Sequence, residues 1–202
     1  MSFFENTRKP EGFGGKLMVA MMNFGHSPVA RWGLRFLNAA PNANVLDCGC
    51  GGGANIKRLL KKCPQGVVKG LDYSPVSVEK SIRVNRAAVA EGRCAVLQGS
   101  VADMVFAGDW FDAVTAFETV YFWPDLPQCF REVHRVLKPG GIFLICNESS
   151  GDTDRDEKWT KIIGGMTIYR DVELKDYLER AGFHDVRVHK NKLGWLCVTA
   201  RK

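Results

Sequence analysis

A glycine-rich loop between a short apolar stretch and a helical stretch restricts most what this chain can fold into. Residues 44–46 are predicted to form a buried strand that ends at Asp47, and four glycines follow within residues 49–53. Residues 54–62 then have the apolar spacing of a helix. A strand, a glycine loop and a helix in this order let the backbone approach a ligand closely and direct the helix N-terminus toward it. The sequence therefore predicts a ligand-binding turn at the end of a sheet strand.

The rest of the chain repeats the alternation of short strands and helices. Further strands are predicted at residues 66–71, 94–98, 111–116 and 142–147, with helices at residues 75–91, 126–137 and 172–181. The last two predicted strands, 183–189 and 195–200, are joined by a connection too short for a parallel crossover, so they are antiparallel. The pattern predicts an α/β fold with seven strands, mostly parallel, and an antiparallel C-terminal pair.

The length of 202 residues and the 46% of hydrophobic residues suit one structural domain. Residues 1–40 lie outside the repeating pattern and are predicted to form an N-terminal helical cap, with short helices at residues 18–22 and 32–37. Residues 41–202 form the main unit, which carries a polar insertion at residues 149–168. Because open α/β sheets bind ligands at the carboxyl ends of their strands, we expect the cap and the insertion to close over a ligand as lids.

Composition restricts the cellular setting and the partners. The longest apolar run near the N-terminus, residues 17–22, is far shorter than a membrane span, and Glu5 stands where a secretory signal needs positive charge. The seven cysteines form no C-x-x-C pair, which favours buried free thiols in a reducing compartment and no structural metal. We therefore expect a cytoplasmic protein without membrane insertion. The net charge of +6 includes no dense basic cluster beyond residues 57–58 and 61–62 on one predicted helix, where a solvated face explains them, so nucleic-acid binding is unsupported.

The glycine spacing alone leaves two kinds of cofactor open. Residues 49–54 also satisfy the dinucleotide fingerprint G-x-G-x-x-[GA], and Asp72 follows at the distance expected of a ribose ligand. Asp47 discriminates between the two, because a carboxylate at the turn repels a pyrophosphate and attracts an ammonium group. The loop is therefore predicted to hold a cofactor that carries an amino acid.

The run 45–53, VLDCGCGGG, resembles the first motif of class I S-adenosylmethionine-dependent methyltransferases, D-x-G-x-G-x-G. Four further stretches resemble the same family in order: residues 70–74, 99–106, 111–114 and 135–141. The resemblance covers about residues 43–147, and the C-terminal strand pair extends it. It implies a Rossmann-like, doubly wound sheet and a methyltransferase of the small-molecule, type 11-like kind. The implied cofactor is S-adenosyl-L-methionine, which leaves as S-adenosyl-L-homocysteine.

The resemblance also implies the cofactor contacts. It places the methionine moiety against Asp47 and Gly49, and the ribose hydroxyls on Asp72. Where the family commonly has an acid for the adenine amine, this chain has Ser100, with Asp103 as a possible substitute. The full set of predicted cofactor contacts is Asp47, Gly49, Cys50, Gly51, Asp72, Tyr73, Ser100, Val101 and Phe117.

Residues that follow the fourth predicted strand are candidates for the acceptor side. Few catalytic residues are required, because the sulfonium is already an activated leaving group and the protein mainly aligns the acceptor and excludes water. If the acceptor is a hydroxyl, thiol or ammonium, a base must remove its proton, and Glu118, Tyr121 and His26 are the candidates. We expect a small-molecule acceptor, because aromatic residues are abundant near the predicted mouth of the site.

Three alternatives stay open on the sequence. The first is RNA or protein methylation, although the [DN]-P-P-[YFW] motif that resembling enzymes use for planar amides and exocyclic amines is absent after the fourth strand. The second is a nicotinamide-dependent oxidoreductase, which fits the glycine spacing and not Asp47. The third is a non-catalytic protein that binds the cofactor as a partner or sensor subunit. The acceptor atom and the oligomeric state do not follow from the sequence.

Overall fold

The computed structural model describes residues 27–152 and 154–202, and these residues form one twisted sheet with helices around it. The strands are β1 Val45–Cys48, β2 Val68–Asp72, β3 Cys94–Gln98, β4 Phe111–Phe117, β5 Leu137–Asn147, β6 His184–Lys190 and β7 Leu196–Arg201. Their order across the sheet is β3-β2-β1-β4-β5-β7-β6. Strands β1 to β5 are parallel, whereas β7 pairs antiparallel with both β5 and β6. The predicted fold class is confirmed.

Helices cover both faces of the sheet. They are α1 Ser27–Gly33, α2 Ala54–Lys62, α3 Pro75–Val84, α4 Arg86–Ala90, α5 Leu126–Val136, α6 Asp154–Ile162 and α7 Asp171–Arg180. Successive strand residues point to opposite faces, so Ala113 joins the apolar core under α1 and α2, and Val114 joins the core under α5 and α7. Burial on both faces explains why the strands are short apolar runs rather than alternating ones.

The predicted helix over residues 75–91 is interrupted at Asn85, which separates α3 from α4. Its buried side-chain amide donates to the backbone carbonyls of Gly53 and Ser81, each at 3.0 Å. The amide therefore ties the end of α3 to the glycine loop at the point where the helix breaks. Tertiary contact decided this boundary, since the helical spacing itself continues through it.

The start of β5 also differs from the prediction. The chain leaves α5 directly in an extended conformation at Leu137, which pairs with Phe111, whereas the predicted strand began only at residue 142. The pairing shifts register between Phe111 and Ala113, so the intervening turn residues form an irregularity within the strand.

The helix predicted at residues 32–37 is wrong in its bounds. Helix α1 begins at Ser27, followed by Pro28 in the first turn, and it ends at Gly33, after which tight turns follow. A Cβ atom at Gly33 would lie 2.4 Å from Sγ of Cys146, so glycine lets α1 rest on the last residues of β5. The other predicted helix, residues 18–22, lies outside the described residues.

All seven cysteines are buried and unbridged, as predicted. In the described part of the chain, no cluster of three or more His, Cys, Asp or Glu side chains is arranged to hold a metal ion. Nor does any helix within residues 27–152 and 154–202 have the length and apolar character needed to cross a membrane.

Candidate active site

Asp47, the penultimate residue of β1, has a buried carboxyl group that the protein satisfies only in part. Its side chain is 1% exposed, and Oδ1 accepts a 2.7 Å hydrogen bond from the hydroxyl of Thr115. Oδ2 has no partner among the described residues. Burial raises the pKa of Asp47 to about 7. The hydrogen bond from Thr115 has the opposite, smaller effect on this pKa. An unpartnered buried oxygen is costly and rare, so it points to a partner that a ligand supplies.

The glycine loop directly after Asp47 depends on glycine for two different reasons. Gly49 has a φ of 70°, and a Cβ atom there would lie 1.9 Å from Oγ1 of Thr119. Gly51 has a φ of 51°, but a Cβ atom there would meet no heavy atom of the described chain within 4 Å. The loop is therefore pressed against protein at Gly49 and open at Gly51, which is where a ligand can approach the backbone.

Asp72, the last residue of β2, holds the loop in place. Its Oδ2 accepts a 2.8 Å hydrogen bond from the Gly51 N–H, and its Oδ1 accepts a 2.9 Å bond from the Ser74 N–H. Burial raises the pKa of this carboxyl, and both backbone hydrogen bonds lower it. Each carboxylate oxygen has a second lone pair, so Asp72 can also accept from hydroxyl groups of a ligand.

The residues predicted near the adenine lie just beyond β2 and β3. Tyr73 is 40% exposed, whereas Val101 is buried in the core. The Ser100 hydroxyl accepts a 3.2 Å hydrogen bond from the Ala102 N–H inside a turn, which leaves its own hydrogen to donate. Asp103 is exposed on the same turn. The structure thus offers both an exposed acid and a hydroxyl at this position.

The side chain of Cys50 points away from the open side of the loop. It is 6% exposed, and its Sγ lies 4.0 Å from the hydroxyl of Ser81 on α3. Burial raises the pKa of this thiol well above its usual range. Only the backbone of Cys50 is therefore placed to contact a ligand.

Glu118 follows β4 directly and joins it to the end of β5. Its φ of 57° is unusual for a residue with a side chain, its N–H donates to the Cys146 carbonyl at 3.0 Å, and its carboxyl accepts from the Glu148 N–H. Burial, together with the charge of Glu148, raises the pKa of Glu118 well above its usual range. A raised pKa makes this carboxyl easier to protonate than an exposed glutamate and, once it has ionised, a stronger base.

Tyr121 lies in the short 3-10 helix Val120–Phe122, close to Glu118. Its hydroxyl accepts a 3.0 Å hydrogen bond from the Ser149 N–H. Burial and the nearby Glu118 raise the pKa of this phenol well above its usual range. The structure therefore brings Glu118, Tyr121 and the buried Phe117 together where β4 and β5 end. The third predicted base, His26, lies outside the described residues.

A family model described as a methyltransferase domain matches residues 46–145, which contain the glycine loop, Asp72 and the whole of β4. The chain belongs to the class I S-adenosylmethionine-dependent methyltransferases. S-adenosylmethionine is the cofactor of this family. Its methionine moiety carries an ammonium group, which can donate a hydrogen bond to an oxygen such as Oδ2 of Asp47, the oxygen without a partner among the described residues.

Two relatives are named as methyltransferases of cycloartenol and of a phytyl hydroquinone. This methyltransferase is 32% identical to cycloartenol-C-24-methyltransferase of Arabidopsis thaliana over 157 residues, which are 73% of this chain and 46% of the relative. It is 27% identical to 2-methyl-6-phytyl-1,4-hydroquinone methyltransferase 1 of Oryza sativa subsp. japonica over 153 residues, 75% of this chain and 44% of the relative. The methyltransferase spans less than half the length of these relatives.

Solved methyltransferases share the fold. One chain, from a complex between the Haloferax volcanii Trm112 methyltransferase activator and a methyltransferase, aligns with a TM-score of 0.84 at 22% identity and covers 93% of both chains. Geranyl diphosphate C-methyltransferase of Streptomyces coelicolor A3(2) aligns with a TM-score of 0.74 at 16% identity, over 96% of this chain and 85% of the other. At such identities the likeness shows the fold alone.

Sequence reasoning missed two polar side chains at the strand ends of this methyltransferase. Thr115 carries no signal in the sequence, because its role depends on its pairing with Asp47 across two strands. Asn147 is the last residue of β5, and both polar atoms of its fully buried amide lack partners within residues 27–152 and 154–202. A polar residue at the carboxyl end of a predicted strand was the signal that could have identified Asn147.

Proposed function

We propose that this methyltransferase transfers a methyl group from S-adenosylmethionine to a small, largely apolar molecule. The observation that carries the proposal is Oδ2 of Asp47, which has no partner within residues 27–152 and 154–202 and lies beside the open glycine loop. A buried carboxyl group with a pKa of about 7 suits an ammonium group as its partner. Burial disfavours the ionised carboxylate, and the positive charge stabilises it. A pyrophosphate would meet repulsion there, which argues against the nicotinamide-dependent alternative.

The remaining cofactor contacts follow from the order of the strand ends. Gly49, Gly51 and the backbone of Cys50 are proposed to line the homocysteine part, with Asp72 on the ribose hydroxyls. Tyr73, Ser100 and Val101 are proposed for the adenine, with Phe117 between cofactor and acceptor. The 40% exposure of Tyr73 and the Ser100 hydroxyl, which accepts from the Ala102 N–H and can donate its own hydrogen, support this order.

When bound, S-adenosylmethionine supplies a methyl group on a sulfonium, which is already an activated leaving group. The protein therefore needs to orient the acceptor and exclude water from it. The Glu118 carboxyl and the Tyr121 hydroxyl are held by the backbone of residues 148 and 149, so neither side chain has to be ordered when the acceptor binds. An acceptor with a proton to lose would give it to Glu118 after that group has ionised, with Tyr121 and His26 as further candidates.

An apolar acceptor agrees with the side chains at the ends of β4 and β5 and with the substrates named in the relatives. Phe117 and Tyr121 are buried where β4 and β5 end, so the acceptor side presents aromatic, largely apolar side chains. The lipid substrates in the names of the plant relatives support the same class. RNA or protein acceptors lack such support.

Residues 1–40 and 149–168 are proposed as the lids that select the acceptor. The Thr167 N–H donates a 2.9 Å hydrogen bond to the carbonyl of Tyr121, which attaches the insertion to the acceptor side. Residues 27–33 of the first segment rest on the ends of β4 and β5. We further propose that the enzyme works in the cytoplasm, as its seven unbridged thiols suggest.

Calorimetry with S-adenosylmethionine, S-adenosylhomocysteine, NADH and NADPH tests the cofactor, on wild type and Asp47→Asn. We expect both adenosyl ligands to bind wild type and to bind the variant at least about 10-fold more weakly, as loss of a charged hydrogen bond implies. Methyl transfer from labelled S-adenosylmethionine to sterols, prenylated hydroquinones and prenyl diphosphates, with RNA and protein from a lysate as controls, then tests the acceptor. Binding of a dinucleotide alone would overturn the proposal.

A further inference from the structure

Asn147 ends β5 with a buried amide that has no hydrogen-bond partner in the part of the chain that the structure describes. Its side chain is 0% exposed, so bulk water supplies no partner either. An asparagine amide has two donor hydrogens and an oxygen that can accept twice. Leaving such a group unpaired costs stability and is rare in folded proteins, so the amide points to a partner that a ligand brings.

The chain satisfies its other buried asparagine among the described residues. The Asn85 amide donates to two backbone carbonyls, those of Gly53 and Ser81, each at 3.0 Å. Within residues 27–152 and 154–202, buried side-chain atoms without partners occur only in Asp47 and Asn147. Both residues lie at the carboxyl ends of parallel strands, which is the edge where open α/β sheets bind ligands.

Hydrogen bonds to the acceptor side hold the backbone around Asn147. The Glu118 N–H donates to the carbonyl of Cys146 at 3.0 Å, and the Glu118 carboxyl accepts from the Glu148 N–H. The Ser149 N–H donates to the Tyr121 hydroxyl, also at 3.0 Å. The residues on both sides of Asn147 are therefore tied to Glu118, which fixes the amide beside the candidate base.

The charges beside this amide favour a neutral group over an anion. Glu148 follows Asn147 in the chain, and Glu118 bonds to the backbone on both sides of it, so a carboxylate or a diphosphate would meet repulsion from both acids. A hydroxyl group is neutral, donates one hydrogen bond and accepts others. It therefore complements an amide that offers both a donor and an acceptor.

We propose that Asn147 is a specificity-determining residue that binds a hydroxyl group of the acceptor. The inference rests on the proposed function, because it names the polar group of the same largely apolar molecule. The amide oxygen accepts from the hydroxyl, and the amide N–H donates to it. Since the amide is fully buried, the acceptor reaches it when the proposed lid, residues 149–168, moves away from the ends of β4 and β5.

Two pairs of probes test the inference: a prenylated hydroquinone and the same prenylated benzene without hydroxyl groups, and a sterol and the same sterol without its hydroxyl group. Their dissociation constants are measured with S-adenosylhomocysteine bound. In at least one pair, wild type should bind the hydroxylated member about 10-fold more tightly, because its analogue leaves the buried amide unpaired. Asn147→Leu should reduce that preference to within about twofold, and it should bind the analogue at least as tightly as wild type does.

Cys146→Ala is the matched control, because Cys146 is the buried neighbour whose side chain lies on the opposite face of β5. It should keep the preference. An unchanged preference in Asn147→Leu, or an equal loss of affinity for both members of a pair, would show a merely structural amide and overturn the inference.

A wild type that binds S-adenosylhomocysteine and prefers the hydroxylated member in neither pair would also overturn the inference, and the proposed cofactor would stand. A wild type that does not bind S-adenosylhomocysteine would refute the proposed function and the inference with it. If Asn147→Leu does not fold, Asn147→Met decides by the same ratio, since its unbranched side chain adapts to irregular space.

Discussion

The hydroxyl of Thr115 donates a 2.7 Å hydrogen bond to Oδ1 of Asp47, while Oδ2 of the same carboxyl has no partner in the described chain. The two residues are register partners on the parallel strands β1 and β4. The protein therefore satisfies one oxygen, and the other is the one that we propose for the ammonium group of the cofactor. Without a positively charged partner, burial disfavours the ionised form of Asp47. This property of Asp47 and the adjoining glycine loop lead to three of the predictions below.

The affinity for S-adenosylhomocysteine should rise between pH 6 and pH 8. An ammonium group binds the ionised form of Asp47, whose pKa is about 7, so binding below that pH also has to remove a proton. Below the pKa, the affinity for S-adenosylhomocysteine should fall by up to about 10-fold for each pH unit. Calorimetry at pH 6, 7 and 8 measures it. Thr115→Val removes the hydrogen bond that lowers this pKa, so its rise in affinity should move to higher pH. Equal affinity at all three pH values would contradict the assignment.

Asp47→Asn should stabilise the ligand-free protein at alkaline pH. The folded-state pKa is raised from 3.8 to about 7, so the folded state binds the proton more tightly, and wild type loses stability as pH rises between those values. The free energy of unfolding of the variant, relative to wild type, should increase by about 2–3 kcal/mol from pH 5 to pH 8. Urea unfolding at both pH values measures this increase. A difference that does not change with pH would refute the prediction.

Gly51→Ala should weaken cofactor binding far more than it weakens the fold. Both Gly51 and Gly92 have positive φ and open space where a Cβ atom would lie, so alanine should cost about 1–2 kcal/mol of unfolding free energy at either position. Gly92 lies in the turn before β3, away from the loop, and serves as the control. We expect at least a 10-fold loss of affinity only for Gly51→Ala, on the order of one hydrogen bond to a charged group. Equal losses in both variants would show that the loop does not contact the cofactor.

Asn147→Leu should raise the stability of the ligand-free protein by about 1–3 kcal/mol, because it removes two buried polar atoms that lack partners in the described chain. Asn85→Leu is the opposite case, since the Asn85 amide donates two hydrogen bonds and its loss should destabilise by a similar amount. Chemical unfolding of both variants tests the contrast. Loss of stability in Asn147→Leu would mean that the amide has a structural role.

Glu118→Gln should fold normally and bind the cofactor, because glutamine has nearly the same shape and its side-chain oxygen still accepts from the Glu148 N–H. Methylation of an acceptor without an acidic proton should change little. Methylation of a hydroxyl or thiol should fall about 10²- to 10⁴-fold, the usual contribution of a general base. Rates for the two acceptor types distinguish the roles. Tyr121→Phe is the parallel test of the neighbouring hydroxyl.

Local patterns predicted the loop and its flanking elements well. Helix α2 and strand β3 have the predicted bounds, because apolar spacing and glycine signals act over a few residues. The errors lie where distant segments meet. Asn85 divides a continuous helical pattern through its bonds to the glycine loop, and Gly33 ends α1 where it meets Cys146.

The sequence by itself determined the α/β alternation, the glycine loop and the acid at its start, since each depends on backbone geometry or on charges close together in the chain. Only the tertiary structure decided which oxygen of Asp47 lacks a partner among the described residues, and that burial raises the pKa of Glu118. Desolvation and hydrogen-bond completion depend on neighbours that lie tens of residues away in the sequence. These properties appear only when the strands and helices have packed.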